Sequence, residues 1–389
     1  FGTVRLKKES ANPSVTTQNG NYSLEGAEFG VYKEASFSGS SRVGVLKTDA
    51  KGDSNVLSLQ AGTYFVKEIK APKGYALNPE TKTVTISSGR ESKVMFEDVP
   101  QLCTIEILLR KTDADTGENK PQGAATFRGA RFTVKYYDGL WEEDTDPEKL
   151  GKTAKRTWVF ETDEDGQCSY GKKHLVSGDA LYVDLNGRPA VPIGTITIQE
   201  TKAPEGYLLN PELFVRQITA KGNTESVDTY NTLGVPERIL KLDLIKRQEG
   251  LDVPIPGVKF EHESPDGKKE TIETDQNGEL TLKGLQYGTH KIQEISVMEG
   301  YLLNGNVIEF YVAQDNQISI TSKIDDTLGK AEIQVTDKGN IIVTMEDPLA
   351  PFRLLIHKEN QKGKRLEGAE FTLYAEKLSL IHISEPTRP

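Results

Sequence analysis

The 389-residue chain is short of the residues that build most cross-linked or reactive sites: it has two cysteines, two tryptophans, three methionines and five histidines. Two cysteines cannot form a disulfide framework. Cys103 and Cys168 are singletons without metal-ligand spacing, so two plain thiols are expected, with a single disulfide as the alternative. The histidines are scattered and suggest no metal site. Positive charge is not in excess, and a formal net charge of −10 argues against nucleic acid and anionic membrane as partners. No apolar run approaches the length of a membrane-spanning helix. An initiator methionine and a leader are also lacking, so the chain, beginning at Phe1, reads as an internal slice of a longer protein. Helical periodicity is nearly absent. No Ser/His/Asp order, glycine-rich phosphate loop or paired-carboxylate motif stands out, so neither an enzyme within these residues nor a cofactor or metal is expected.

What is present is a repeat. Each copy opens on a short apolar strand ending in lysine: Val4-Arg-Leu6-Lys-Lys8, Ile107-Leu-Leu109-Arg-Lys111, Leu242-Asp-Leu244-Ile-Lys246 and Leu354-Leu-Ile356-His-Lys358. A glycine-led strand follows, as in Leu24-Glu-Gly26-Ala-Glu-Phe29, Gly129-Ala-Arg-Phe132 and Ile255-Pro-Gly257-Val-Lys-Phe260. Then come a Thr-Asp-x-x-Gly turn, a Gly-Thr-led strand ending in glutamate, a Gly-Tyr loop and a closing strand. Short strands with regular turn signals predict an all-β chain of tandem Ig-like, prealbumin-like β-sandwiches. Prolines 100, 236 and 351 suggest units over 1–100, 101–235 and 236–350, with the start of a fourth over 351–377. The second unit is longer. Its insertion around 138–155, which includes Trp141, is expected to be a surface loop with about one helical turn. No low-complexity linker separates the units, so they are expected to abut.

Strand side chains alternate between faces. Lys8, Lys111, Lys246 and Lys358 therefore share the core face with the preceding Val, Ile and Leu. Parity also turns inward Glu68, Glu200 and Glu294 on the middle strand, and Asp98, Asn231 and Asp347 on the closing strand. A buried lysine costs several kcal/mol unless its charge is neutralised or consumed. The trio suits amide formation. Desolvation favours neutral amine and protonated carboxyl, the amine is then a nucleophile, and the glutamate shuttles protons. Held contact supplies the effective concentration that replaces an activating enzyme. Water leaves from an Asp acceptor and ammonia from Asn. The competing readings are a buried Lys–Glu–Asp salt-bridge cluster and lysines that snorkel out at a strand end.

Over residues 1 to about 377 the chain resembles the Cna B-type (prealbumin-like, SpaA-type) domains of Gram-positive surface adhesins and pilins. The most specific stretch is Ile198-Gln-Glu200-Thr-Lys-Ala-Pro-Glu-Gly-Tyr207, similar to the pilin E-box, with a first-unit version ending Ala-Pro-Lys-Gly-Tyr75. The resemblance implies autocatalytic isopeptide bonds from first to last strand with the E-box glutamate as catalyst. By motif position these are Lys8, Glu68 and Asp98; Lys111, Glu200 and Asn231; Lys246, Glu294 and Asp347; Lys358 stays unpaired. The third unit departs from the pattern, with Ile-Ser-Val-Met after Glu294. A polymerisation lysine in a Tyr-Pro-Lys context and a cell-wall sorting motif are not seen. The resemblance further implies a structural stalk outside a Gram-positive cell, attached to the cell wall by a signal beyond these residues, with any host or matrix ligand bound elsewhere. Direct ligand binding through the second unit's insertion, or a spacer role in an extracellular hydrolase, are the alternatives.

Three smaller signals complete the reading. Asp113-Ala-Asp115-Thr-Gly117 looks like a calcium loop but is too short for six oxygen ligands, so a plain turn is expected. His290 is read as a core substitution. Residues 378–389 resemble the one-frame translation of a sequencing-library adaptor and are set aside from fold reasoning.

Overall fold

The computed structural model describes residues 1–351, 354–368 and 370–372. The adaptor-like tail, and with it the end of the fourth repeat, lies outside them. Phe1–Pro348 forms one compact unit that holds the three complete repeats. Each repeat is a β-sandwich of two sheets, as the alternating apolar pattern requires when one face of each sheet is buried.

In the first repeat the opening strand Gly2–Ser10 lies between Leu57–Leu59 and the closing strand Glu91–Asp98. The facing sheet runs Arg42–Lys47, Glu28–Tyr32, Gly62–Lys70, Thr81–Ile86. The second repeat has the order Gln167–Cys168, Leu109–Asp113, Leu233–Glu237, and the third Glu279–Lys283, Lys241–Gln248, Ile341–Asp347, Lys330–Val335. In every repeat the opening and closing strands pair in parallel, which places the two ends of the repeat side by side. Val4, Leu6, Phe29, Val66 and Phe96 form the first core, Trp158, Phe160, Ile196 and Ile198 belong to the second, and Leu242, Leu244, Phe260 and Val343 to the third.

The repeats meet without a linker. The Tyr22 hydroxyl donates to Gln101 O (2.7 Å) and accepts from Ile193 N (2.9 Å), which ties the first repeat to the second. Glu205 in the second Gly-Tyr loop accepts from Tyr287 N at 2.8 Å, and Leu208 joins the third core.

Several expectations change. The insertion over 138–155 contains turns but no helix, and Trp141 packs edge-on against Tyr137 with ring centroids 5.8 Å apart. The second repeat does not stop at 235. Its closing strand runs on to Glu237, with Pro236 inside it. That strand is a sheet edge, so the missing proline N–H costs no ladder bond. As expected, Cys103 and Cys168 are both free thiols, and both are buried. Residues 354–358 form no strand, and Lys358 is exposed with its ammonium 5.9 Å from the Phe371 ring. A strand there would need a closing strand to pair with, and none is among the described residues.

Candidate functional site

The repeat motifs converge on the lysine. The Thr-Asp-x-x-Gly turn supplies the first anchor: Lys8, Lys111 and Lys246 donate their backbone N–H to the carbonyl of the turn glycine, Gly52, Gly166 and Gly278, at 2.8, 2.8 and 2.7 Å. These glycines have φ of 78°, 68° and 67°, a left-handed turn that favours glycine. A Cβ at Gly52 would meet Lys8 O at 2.2 Å, so the turn also needs the missing side chain to approach the lysine strand.

The glycine-led strand supplies the second anchor. Its phenylalanine pairs across the sheet with the central glutamate: Phe29 with Glu68, Phe132 with Glu200, Phe260 with Glu294. In all three a register shift immediately precedes the phenylalanine. The ammonium groups lie 4.9, 4.5 and 6.0 Å from these ring centroids, so an apolar aromatic face covers each lysine.

Lys8, Lys111 and Lys246 are fully buried and each touches two buried carboxyl groups. Lys8 Nζ donates to Glu68 at 2.6 Å and also to Asp98. Lys246 Nζ donates to Glu294 at 2.7 Å and also to Asp347. Lys111 Nζ donates to Glu200 and to Glu237.

The last pairing corrects the sequence reading. Asn231 is exposed and is not the partner of Lys111. The stretch read as the closing strand, Val227 to Asn231, instead bonds back to Leu102 and buries Tyr230, whose hydroxyl donates to Leu108 O. The true closing strand comes six residues later. Its register is that of the other two repeats: the lysine faces Phe96, Val235 or Met345, and the carboxylate sits two positions on, at Asp98, Glu237 or Asp347. Leu233-Gly-Val235-Pro-Glu237 carried this signal as alternation, masked by its glycine and proline. The phenylalanines were also missed as site residues, although their motif was legible.

Burial dominates the electrostatics. Desolvation pushes Glu68 up to about 7 against the opposing pull of Lys8, and Glu294 up to about 7 against that of Lys246. Desolvation likewise pushes Glu237 up to about 8 and raises Glu200 and Asp347. One ammonium facing two carboxyls in a dry site therefore favours a proton on one of them. Glu237 Oε2, Glu294 Oε1 and Asp347 Oδ2 are buried with no hydrogen-bond partner, which is costly for an ionised carboxylate and tolerable for a neutral acid.

The remaining candidates are structural. Asp113 Oδ1 accepts the N–H of Asp115 and Thr116, both at 3.0 Å, and Oδ2 accepts the Tyr207 hydroxyl at 2.9 Å, so its oxygens serve a turn. Among the described residues no group of three or more His, Cys, Asp or Glu has metal-binding geometry. His290 is buried, stacks on Phe310 with centroids 5.0 Å apart, and is pushed down to about 4 by burial. No helix among the described residues is long and apolar enough to cross a membrane.

No curated protein matches the chain. Among solved structures it is similar to the Bacillus anthracis TIE protein, at 23% identity and a TM-score of 0.49, over 81% of this chain and 49% of that one. It is also similar to BcpA, the major pilin subunit of Bacillus cereus, at 14% identity and a TM-score of 0.36, over 90% of this chain and 99% of that one. A third is the pilus adhesin SpaC from Lactobacillus rhamnosus GG, at 16% identity and a TM-score of 0.33, over 90% and 44%. The chain thus spans about half the length of the TIE protein structure. The SpaA prealbumin-like fold domain matches residues 9–100, 106–233 and 241–328, most of the chain. The protein belongs to the SpaA family of prealbumin-like fold domains and carries three of them in tandem.

Proposed function

We propose that these repeats form a load-bearing stalk segment of a pilus or adhesin displayed on the surface of a Gram-positive cell, each locked by an isopeptide bond between its first and last strands. The bonds are Lys8 to Asp98, Lys111 to Glu237 and Lys246 to Asp347. One observation carries the reading: three times over, a fully buried lysine touches one carboxyl on a middle strand and one on the closing strand. Membership of the SpaA family supports a surface stalk.

The chemistry balances within each site. The ammonium gives up a proton, and the neutral Nζ attacks the carboxyl carbon of the closing-strand acid. The new N–C bond forms as a C–O bond breaks, and that oxygen leaves as water with one proton from the amine and one from the acid. Glu68, Glu200 and Glu294 accept and return the protons in transit. Burial raises these carboxyls, so they can carry a proton near neutral pH. The product removes the buried ammonium and the acceptor carboxyl together, so the desolvation cost of both disappears. Contact in the folded state replaces chemical activation.

The glutamate role is tested by Glu68→Gln, which preserves shape and removes the titratable group. Intact mass and peptide mapping are expected to show the first-repeat bond absent and one water retained, with the other two repeats closed. A Glu68→Gln protein that still closes its first repeat would show that Glu68 is not the proton carrier.

A further inference from the structure

The sequence puts an asparagine ten positions after each central glutamate: Asn78 after Glu68, Asn210 after Glu200 and Asn304 after Glu294. We propose that this asparagine is the positioning residue of the cross-linking reaction, clamping the proton-carrying glutamate against the strand that bears the acceptor. The inference rests on the cross-linking reading above.

Two contacts recur in all three repeats and a further one in two of them. The one made in two repeats goes to the glutamate. Asn78 N donates to Glu68 Oε2 at 2.6 Å, and Asn210 N to Glu200 Oε2 at 2.7 Å. In the third repeat this bond is not made, and Glu294 Oε1 has no hydrogen-bond partner. The second contact goes to the closing strand. Asn78 Nδ2 donates to Glu97 O at 3.0 Å, Asn210 Nδ2 to Pro236 O at 3.1 Å, and Asn304 Nδ2 to Glu346 O at 3.0 Å. Those carbonyls belong to the residue just before each acceptor, Asp98, Glu237 and Asp347. In the first repeat the same amide also reaches Asp98 Oδ1 at 3.1 Å.

The third contact fixes the amide. Asn Oδ1 accepts the backbone N–H two residues on: Glu80 at 2.9 Å, Glu212 at 3.0 Å and Asn306 at 3.0 Å. That turn orients the amide, so the nitrogen faces the closing strand. One residue thus joins the loop after the Gly-Tyr motif to the acceptor strand through its side chain, and in the first two repeats to the glutamate through its backbone N–H. An alanine there would leave both the loop and the closing-strand carbonyl untied. Two different dipeptides, Glu-Asp in the first and third repeats and Pro-Glu in the second, receive the amide at the same backbone position, as a contact to the backbone rather than to a side chain allows.

Freshly translated chain carrying Asn78→Ala is sampled over time by intact mass, with the first-repeat cross-linked peptide resolved by proteolysis. The second and third repeats act as internal controls. Misplacing a reacting group by about 1 Å slows such a step on the order of 100-fold, so first-repeat closure is expected to lag 10- to 100-fold while the controls keep parent rates. Asn78→Asp keeps the Oδ1 turn and removes the amide donor, so it is expected to lag as well even if the alanine variant folds poorly. A pH profile separates positioning from mere folding. Lys8 and Asp98 face Glu68, and the Asn78 N–H is the further group that holds its pKa down. Letting that N–H withdraw raises the glutamate, so the alkaline limb of first-repeat closure is expected to move to higher pH in the variant. Parent-rate closure in both variants, or slow closure with an unmoved profile, overturns the assignment. A parent chain that loses no water in any repeat overturns the cross-linking reading itself, a different failure.

Discussion

Pulled from its two ends, the three-repeat segment is expected to lengthen hardly at all before the tether fails. Force entering at the first strand crosses from Lys8 to Asp98, runs through the connector to Lys111, crosses to Glu237, and passes to Lys246 and on to Asp347. The bonds bypass 90, 126 and 101 positions respectively. Only thirteen positions from Asp98 to Lys111, and nine from Glu237 to Lys246, stay in the load path between them. The insertion over 138–155 is shielded, so its length adds no extensibility. An uncrosslinked repeat would release roughly 3.3–3.6 Å per residue, so steps on the order of 300–450 Å. Single-molecule pulling distinguishes the two. A triple Lys8/Lys111/Lys246→Ala variant is expected to show such steps and the parent none. Whole-repeat steps in the parent as long as in the variant contradict a load-bearing role.

The second large effect is on stability. Closing a loop of 90 positions with a covalent bond contributes on the order of 4–5 kcal/mol, by the chain-entropy argument used for disulfides. A repeat of this size shifts its midpoint by about 4–8 °C per kcal/mol. Lys8→Ala is therefore expected to lower the first repeat's unfolding midpoint by roughly 16–40 °C and to open that repeat to trypsin, leaving the other two intact. An unchanged midpoint with unchanged protease resistance would show that the lysine carries no cross-link. Removing the lysine from a buried ion pair also costs about 3–5 kcal/mol, because it strands buried carboxylates, so the intact mass of the parent is what separates a cross-link from an ion pair.

Much of this architecture is written in short-range patterns. The period-two alternation gave the strands their faces, and so the inward lysines and glutamates. The Thr-Asp-x-x-Gly turn was legible because glycine at positive φ is a local requirement, although its tie to the lysine N–H is visible only in three dimensions. Asn231 failed for a definable reason. Alternation over Val227 to Asn231 mimics a strand, while the real closing strand carries Gly234 and Pro236, which read as a boundary. Pairing decides such cases, and pairing is non-local: the edge position that tolerates Pro236 cannot be read from the segment itself. The asparagines escaped notice because their role lies in backbone contacts to a distant strand, and only their spacing of ten from each glutamate marked them. Lys358 shows the same dependence from the other side, since a first strand has no face to bury without its closing partner.

Replacing Asn231 by Glu237 as the acceptor changes one number that a mass spectrometer reads directly. An asparagine acceptor releases ammonia, whereas aspartate and glutamate acceptors release only water. The intact mass of the folded, unmodified chain is predicted to lie below the sequence mass by three waters, one from each of Lys8 with Asp98, Lys111 with Glu237, and Lys246 with Asp347. A mass equal to that of the sequence would contradict self-made cross-links and leave three buried ion-pair clusters in their place. A loss of two waters and one ammonia would contradict the acceptor assigned to the second repeat.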